Sequence, residues 1–557
     1  MFVEVKSCPV QSFPPHPLKR TWSEHSLGKC ALLFSFPIRF RFYVSFQSSG
    51  LCYNNKVKKR TKLFLGVLIL AALAAWVVCH SSPRFILNPS GRTPLSGVYK
   101  LPFTNQSPLT VTVAGQRNDA DITHTFPAGY GRAFPIHGLY PQAQNKITVR
   151  YQGKTQEFTV PLPEIRVNGG FVPPAQVVTI EKDPSQKKTD DIYFISASIG
   201  EKHPNLSWVI LGYSRNGNLR YLNIDDKPRL NELQRIVPEG KEMMLITDIG
   251  SETLLGQRRL DLSGKNKIGH HDRVKKGDHF ISLANSKWGV EDRVLELDAK
   301  GHIVRDLSAG ELVRKAVGAN PSPAEREMLN RVVFDEHNIY ITKKNTPQAI
   351  DWAHINSIVY DEKTDMLYCS FRNLGVLAVK YTPWELVWWM VTDKLDFLPP
   401  DDPTAKHRRF LDALASLQAY RVRGDGLTDG PKHHHALFLW PDGTLGLFDN
   451  RGYAGNKSRY VEYKISGGHG KWTAKKTYEY FDPTLTNNDY TSDIDVLPNG
   501  NLLILYGMEQ VVVEVDKNTK EKRYQLNFAL PTEMIYRVDK MPFYPTPGRE
   551  YPKEHKF

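Results

Sequence analysis

Short runs in which apolar and polar residues alternate recur along most of the chain, the period-two signature of strands with one buried face. The clearest early ones are 109–113 (LTVTV) and 146–151 (KITVRY). Gln152-Gly153-Lys154 then makes a turn into 157–160 (FTV preceded by Glu157), which predicts a hairpin. Strands of this kind occupy residues 88–180, a length that suits a small N-terminal β-sandwich domain. This stretch holds no cluster of histidines, cysteines or acids, so a structural role is expected of it.

Residues 185–545 carry an internal repeat. Four segments align without gaps, starting at His271, His354, His435 and Ser492. Each runs into a turn (Gly277-Asp278, Asp361-Glu362-Lys363, Asp442-Gly443, Asn499-Gly500) and then a second strand, at 279–283, 366–370, 444–448 and 501–505. A third follows at 293–297, 376–380, 459–463 and 511–515. Strand, hairpin, strand, short loop and strand make the blade of a β-propeller. The starts are 83, 81 and 57 residues apart, longer than the roughly 40–50 of compact propeller repeats, so long loops or a degenerate blade must intervene. Earlier strands at 208–212 and 242–246 supply further units, at least five in all. The expected fold is therefore all-β, a propeller behind a small sandwich.

A different pattern precedes both. Residues 63–79 (LFLGVLILAALAAWVVC) are uncharged and follow Lys56, Lys58, Lys59, Arg60 and Lys62. At ~1.5 Å per residue the run reaches roughly 25 Å, enough for a short membrane span. The basic flank keeps the N-terminal side in the cytoplasm and sends the body across the inner membrane, anchored by this helix. A cleaved signal is the competing reading, since Ala72-Leu73-Ala74 resembles a cleavage site and would leave a soluble periplasmic body. Residues 1–62 form an unassigned basic segment; 1–55 show no periodicity and are left out of the reading of the fold.

Composition agrees with strands: 25 Tyr, 26 Phe and 10 Trp, with 39 Gly and 37 Pro to punctuate them. A net charge of +14 suggests nucleic acid at first, but +9 of it lies in residues 1–62, and the remaining 495 residues carry only +5. Nucleic acid is therefore not an expected partner. Of five cysteines only Cys369 follows the apolar run, so no disulfide can form within the body and no CxxC offers a metal or redox site.

The repeat locates candidate chemistry. Three of four starts are histidines, His271, His354 and His435, and equivalent positions of different blades fall on one ring around a propeller axis. Three imidazoles on one ring point at a common volume. Alone, His433-His434-His435 or His270-His271 would suggest a metal. Arg372 and Asn356 neighbour the second unit, however, and a guanidinium favours an oxyanion over a dication. No metal and no cofactor are expected. Walker loops, GxSxG elbows and nucleotide fingerprints are absent from the sequence.

Residues 351–358 (DWAHINSI), followed by Cys369-Ser370-Phe371-Arg372-Asn373, resemble the signature of the bacterial arylsulfate sulfotransferases, which act without a nucleotide sulfate donor. His435 with Pro441-Asp442-Gly443 and Leu447-Phe448-Asp449-Asn450 is similar to that family's nucleophile segment. Thr123-His124-Thr125-Phe126-Pro127 and 134–141 (FPIHGLYP) resemble its β-sandwich, and Ile535-Tyr536-Arg537-Val538 its last strand. The likeness covers about residues 88–545. Counting six residues back from Pro441 selects His435 over His434, and His271 rather than His270 is in register. The disulfide found in some members is missing here.

The resemblance implies a six-bladed propeller, exported, that moves a sulfuryl group from a phenolic sulfate donor to a phenolic acceptor by a ping-pong route through a sulfohistidine. His435 would be the nucleophile, with Arg372 and Asn356 on the sulfuryl oxygens and His271 and His354 as acid and base. Three other readings use the same residues: a metal-dependent hydrolase or lyase, an aryl sulfatase with water as acceptor, and a non-catalytic binding propeller. A homo-oligomer is compatible with the sequence.

Overall fold

A computed structural model of the protein describes residues 83–551, apart from 180–190, 200–206, 225–232, 263–267, 286–290, 332–338, 342–346, 350–351, 394–410, 452–456 and positions 249, 487, 533 and 550. The expected anchor at 63–79 lies outside the described residues. Among the described residues no helix is long and apolar enough to cross a membrane.

Two antiparallel sheets open the described chain. One has three strands, Arg84–Leu87, Gly97–Lys100 and Ala133–Ile136; the other has four, in the order Ile122–Phe126, Leu109–Val113, Ala143–Tyr151 and Lys154–Leu162. In Leu109–Val113 the alternating residues Leu109, Val111 and Val113 are buried, while Thr110 and Thr112 are only partly so. The predicted hairpin pairs Tyr151 with Lys154 across a two-residue turn. Gln152 (φ 49°) and Gly153 (φ 71°) are both left-handed there, as a turn matching the twist of its flanking strands requires.

The apolar faces of both sheets share one core with the strands that follow, joining Val111, Phe126 and Phe134 to Phe194, Tyr221 and Phe543. A buried cation reinforces this junction. Arg220 donates to Asp119 (2.8 Å) and to the Gly138 carbonyl (2.8 Å), and lies 3.8 Å from the centre of the Tyr140 ring.

Among the described residues six further antiparallel sheets hold four strands each, one of them extended by a fifth. Their first strands are β1 (Leu233–Glu239), β2 (Ile268–Lys276), β3 (Ile355–Asp361), β4 (His435–Leu439), β5 (Asp493–Val496) and β6 (Ile535–Met541). The last of these closes a sheet begun far earlier, pairing with Ile192–Ile199. Gln176–Thr179, from before that sheet, pairs with Lys522–Asn527 as the outer strand of the β5 sheet. Each of β1 to β6 touches the next, and β6 touches β1, so the contacts return to their start. No sheet closes on itself among the described residues.

The edges of these first strands need partners, because an unpaired buried N–H is costly. Side chains supply them. Asp539 of β6 accepts from the Ile236 N–H of β1 (2.5 Å), and Arg235 of β1 donates to Asp272 of β2 (3.0 Å). Asp272 accepts from the Ile358 N–H of β3 (2.9 Å), and Ser357 from the Leu437 N–H of β4 (3.1 Å). Asp493 of β5 accepts from Val538 of β6 (3.2 Å). Five of the six junctions between neighbouring first strands are clasped in this way.

The long spacing between the starts has its cause in insertions. Two helices, Ala309–Val317 and Pro323–Arg331, and the hairpin Ile339–Ile341 with Pro347–Ala349 separate the β2 sheet from the β3 sheet. A 3₁₀ turn at Ala415–Ala419 lies between the β3 and β4 sheets. Among the described residues neither interval holds another four-stranded sheet.

Candidate active site

The sequence places histidines at strand starts, and the backbone there is unusual. His271 (φ 58°), inside β2, and His354 (φ 53°), just before β3, both adopt the left-handed conformation, which breaks strand alternation there. Their rings lie 5.5 Å apart between centres. The gap-free register does not extend in detail to the third histidine. His433 (φ 50°) and Ala436 (φ 52°) take the left-handed conformation in that segment, and His435 is the first residue of β4, paired with Phe448. A bulge between His435 and Phe438 shifts the pairing there, as bulges do in β2 between Ile268 and Arg273 and in β3 between Ile355 and Ser357.

The segment carrying His435 is held by the two residues that end the next strand. Asp449, buried and bonded to Arg459 (3.0 Å), accepts from the Lys432 N–H (2.8 Å). Asn450 accepts from His435: its Oδ1 lies 2.8 Å from Nδ1, and the His433 carbonyl lies 3.0 Å from the same nitrogen. Asn450 is itself oriented, since its Nδ2 donates to the carbonyls of Asn488 (2.7 Å) and Thr491 (3.0 Å). An amide whose nitrogen serves two carbonyls must turn its oxygen the other way. Nδ1 of His435 therefore carries the proton, and Nε2 carries the lone pair.

Electrostatics agree. Burial, foremost, holds the His435 imidazole well below its ordinary pKa of 6.5; the bond to Asn450 opposes this, and Arg372, His354 and His271 reinforce it. Arg372, His354 and His271 thus lie within electrostatic range of His435. His433 is pushed down to about 2, by burial first and then by Arg372, whose Nη2 lies 3.4 Å from His433 Nδ1. The Arg372 N–H bonds the His354 carbonyl (2.8 Å), which ties the guanidinium's backbone to the second histidine.

Asn356 has partners other than those expected of a residue that holds a sulfuryl group. Its Nδ2 donates to the His434 carbonyl (2.8 Å) and its Oδ1 accepts from Ser370 (2.8 Å), both within the buried interior. It braces the histidine segment from behind.

Sequence reasoning passed over Glu291. One carboxylate oxygen lies 3.1 Å from His271 Nε2 and 3.2 Å from His354 Nδ1. Burial alone would raise its pKa, yet His271, His354 and His270 outweigh burial and hold the carboxyl well below the usual range. Tyr536 of β6 was quoted only as part of a strand. Its ring stacks on His271 and its hydroxyl is 2.5 Å from His271 Nδ1. Glu291 occupies no repeat position and no motif, so nothing local marks it.

His270, His271 and Glu291 bring one donor atom each within 4.8 Å of one another. A tetrahedral ion with bonds of about 2.0–2.1 Å would have to draw that set together. In the structure Glu291 and His271 are hydrogen-bonded to each other, and the buried His270 is held neutral, its pKa near 3 through burial first. A cavity of about 670 Å³ lies farther along β1 to β6, lined among others by Arg235, Lys275, Asp361 and Asp495; none of the site histidines lines it.

Comparison with known proteins follows the same outline. The family model described as Arylsulfotransferase (ASST) matches residues 177–537, and that of the Arylsulfotransferase Ig-like domain matches residues 85–166. The chain is similar to Arylsulfate sulfotransferase AssT of Escherichia coli O6:H1 (strain CFT073), 24% identical over 81% of this chain and 91% of the relative. It is also similar to Arylsulfate sulfotransferase AssT of Lelliottia amnigena, 25% identical over the same shares. Among solved structures, a protein of unknown function from Bacteroides caccae covers 63% of this chain and 99% of its own at 10% identity, with a TM-score of 0.37, too low to carry an argument.

Proposed function

The chain belongs to the arylsulfotransferase family, and on that premise we propose that it transfers a sulfuryl group from a phenolic sulfate to a phenolic acceptor in two steps, through His435. The observation that carries this reading is the pair of carbonyl oxygens on His435 Nδ1, which leaves Nε2 as a neutral nucleophile. Six sheets whose first strands touch in a cycle support a six-bladed propeller, and the two N-terminal sheets support a β-sandwich in front of it.

In the first step Nε2 attacks sulfur, an N–S bond forms and the bond from sulfur to the phenolic oxygen breaks. The departing phenolate takes a proton from a protonated imidazole, and His354 is the candidate nearest this role. Sulfonation makes the His435 ring cationic, and the two oxygens on Nδ1–H stabilise that charge. In the second step His354 takes the acceptor's proton, the acceptor oxygen attacks sulfur, and the N–S bond breaks to restore His435. Arg372 neutralises the sulfuryl oxygens, as expected where a loose transition state leaves charge on them. Asn356 acts on the position of the histidine segment instead of on the substrate.

Turnover of 4-nitrophenyl sulfate with and without a phenol tests this. Release of nitrophenol that depends on the acceptor, with the phenol recovered as its sulfate, is the expected result. Release independent of phenol would mean a sulfatase; no release would remove the activity. The basic flank before residues 63–79 supports a body exposed to the periplasm. Protease added to spheroplasts should then digest it, and resistance until the inner membrane is broken would refute that topology.

A further inference from the structure

The segment that carries His435 is anchored near its start by a buried ion pair. Arg459, only 1% exposed, opens the third strand of the β4 sheet and sits directly across from Asp449. Its Nε donates to Asp449 Oδ2 (3.0 Å), and its Nη1 donates to Asp429 Oδ2 (3.2 Å) and Glu479 Oε2 (3.0 Å). Its Nη2 donates to Asp429 Oδ1 (3.3 Å). Among the described residues its hydrogen bonds all go to carboxylates and none to a histidine. A buried ion pair adds little net stability, because desolvation offsets the attraction; what this one does is fix geometry.

The other oxygen of Asp449 accepts from two backbone groups, the N–H of Lys432 (2.8 Å) and that of Arg451 (3.2 Å). The Arg451 N–H also reaches the Lys432 carbonyl (3.0 Å). Asn450, whose oxygen meets His435 Nδ1, lies between these two anchored residues. On the facing side Asp429 and Lys432 bracket Gly430-Pro431. A Cβ on Gly430 would stand 2.4 Å from Asp449 Oδ2 and 2.8 Å from Arg459 Nη2, so glycine lets the backbone pass against the ion pair. The cluster carries no excess charge to the histidine. Arg451 pairs with Asp429 (3.5 Å) and Lys476 with Glu479 (2.7 Å), which leaves each carboxylate matched by a cation.

Resting on the sulfuryl-transfer reading above, we infer that Arg459 is a positioning residue for the nucleophile: through Asp449 it sets the place of Asn450, whose oxygen keeps the His435 proton on Nδ1 and the lone pair on Nε2. The fork of the guanidinium is what this role requires. Nε fixes Asp449 while Nη1 and Nη2 grip Asp429 with two bonds, so residues 429 and 449 keep one spacing. Rotation of Asp449 would release Lys432 and Arg451, and with them Asn450, from their place beside the ring. Nδ1 would then keep only the His433 carbonyl (3.0 Å). No proton and no group is transferred at Arg459.

The test is a double-variant cycle on the first half-reaction, read as the rate constant of the nitrophenol burst from 4-nitrophenyl sulfate without acceptor. Arg459→Lys keeps the charge but not the fork, and should slow the burst roughly three- to tenfold, no more than Asn450→Ala does. The double variant Arg459→Lys/Asn450→Ala should react as Asn450→Ala alone, because the oxygen that Arg459 places is already gone. Losses that multiply in the double variant, or an unchanged rate in Arg459→Lys, would overturn the inference. A rate constant, unlike an amplitude, does not fall when part of the protein unfolds, so a merely structural role would leave it alone. Gly430→Ala keeps every charge and forces Asp449 aside, and it should repeat both results. This second variant decides the matter if the lysine variant does not fold, with multiplied losses or no loss again contradicting the role. Absence of a burst from the wild-type protein would instead refute the sulfuryl-transfer reading, a result distinguishable from failure of the role given to Arg459.

Discussion

Replacing Asn450 with alanine probes the least obvious part of the site, the group behind the nucleophile. In the resting protein the Asn450 oxygen makes an ordinary hydrogen bond to a neutral ring, worth about 0.5–1.5 kcal/mol. As the sulfuryl group transfers, the ring gains positive charge and that bond strengthens to about 1.5–3 kcal/mol. The variant loses the stronger bond in the transition state. The His433 carbonyl, 3.0 Å from the same nitrogen, still accepts, so the loss is partial. The ground state loses the weaker bond as well, so only the difference of about 1–1.5 kcal/mol counts, and sulfonation of His435 should slow by roughly 5–10-fold, far short of removing the nucleophile. The Thr491 carbonyl also loses this donor, while the Asn488 carbonyl keeps Ser458 Oγ (3.2 Å), so stability should fall by about 1–3 kcal/mol in urea unfolding. Stopped-flow release of nitrophenol from 4-nitrophenyl sulfate measures the rate, at a temperature where the variant is folded. An unchanged rate would show that Asn450 does not hold the reactive tautomer, and a complete loss would show that the His433 carbonyl contributes nothing.

Three other outcomes follow from the same geometry. Arg372→Ala should cost roughly 10²–10⁴ in turnover, and Arg372→Lys should recover only part, because one ammonium cannot present a planar pair of donors; full recovery by lysine would refute bidentate binding. The protein should lose stability as pH falls from 7 to 5, since His270 (pKa about 3) and His433 (about 2) stay neutral when folded but take up protons below 6.5 when unfolded. Stability carried by a depressed histidine is present above the unfolded pKa and declines as pH drops below it, by about 2 kcal/mol per group at pH 5; a flat stability profile by denaturant titration would contradict their burial as neutral rings. Prolonged chelation with EDTA should leave turnover intact, and loss that added zinc restores would move His270, His271 and Glu291 into a metal site.

Much of this fold can be read from alternation and turn chemistry, because each depends on near neighbours. The hairpin at 151–154 and the strands after His271, His354 and His435 are of that kind. Strand β1 matches none of the aligned starts, and β6 is recognised only through its likeness to a known last strand; neither carries the histidine that marks β2, β3 and β4. The site was partly legible for a related reason. Repetition points to His271, His354 and His435, and Arg372 follows from its motif. In the third segment the left-handed conformation falls on His433 and Ala436 and not on His435, which no local pattern announces. Asn356 was given to the substrate because nothing in its own segment shows that the His434 carbonyl, 78 positions away, takes its amide. Glu291 is the extreme case: a carboxylate in an irregular loop, significant only because folding lays it between two imidazoles.

Intact-protein mass after mixing with a phenolic sulfate, with no acceptor present, bears most directly on the central claim. One sulfuryl group on a histidine nucleophile adds about 80 Da. The added mass should form within the burst, disappear when a phenol is supplied, map to the peptide containing His435, and be absent from His435→Ala. An adduct on His433 or His434, or one that persists in His435→Ala, would contradict the assignment of the nucleophile.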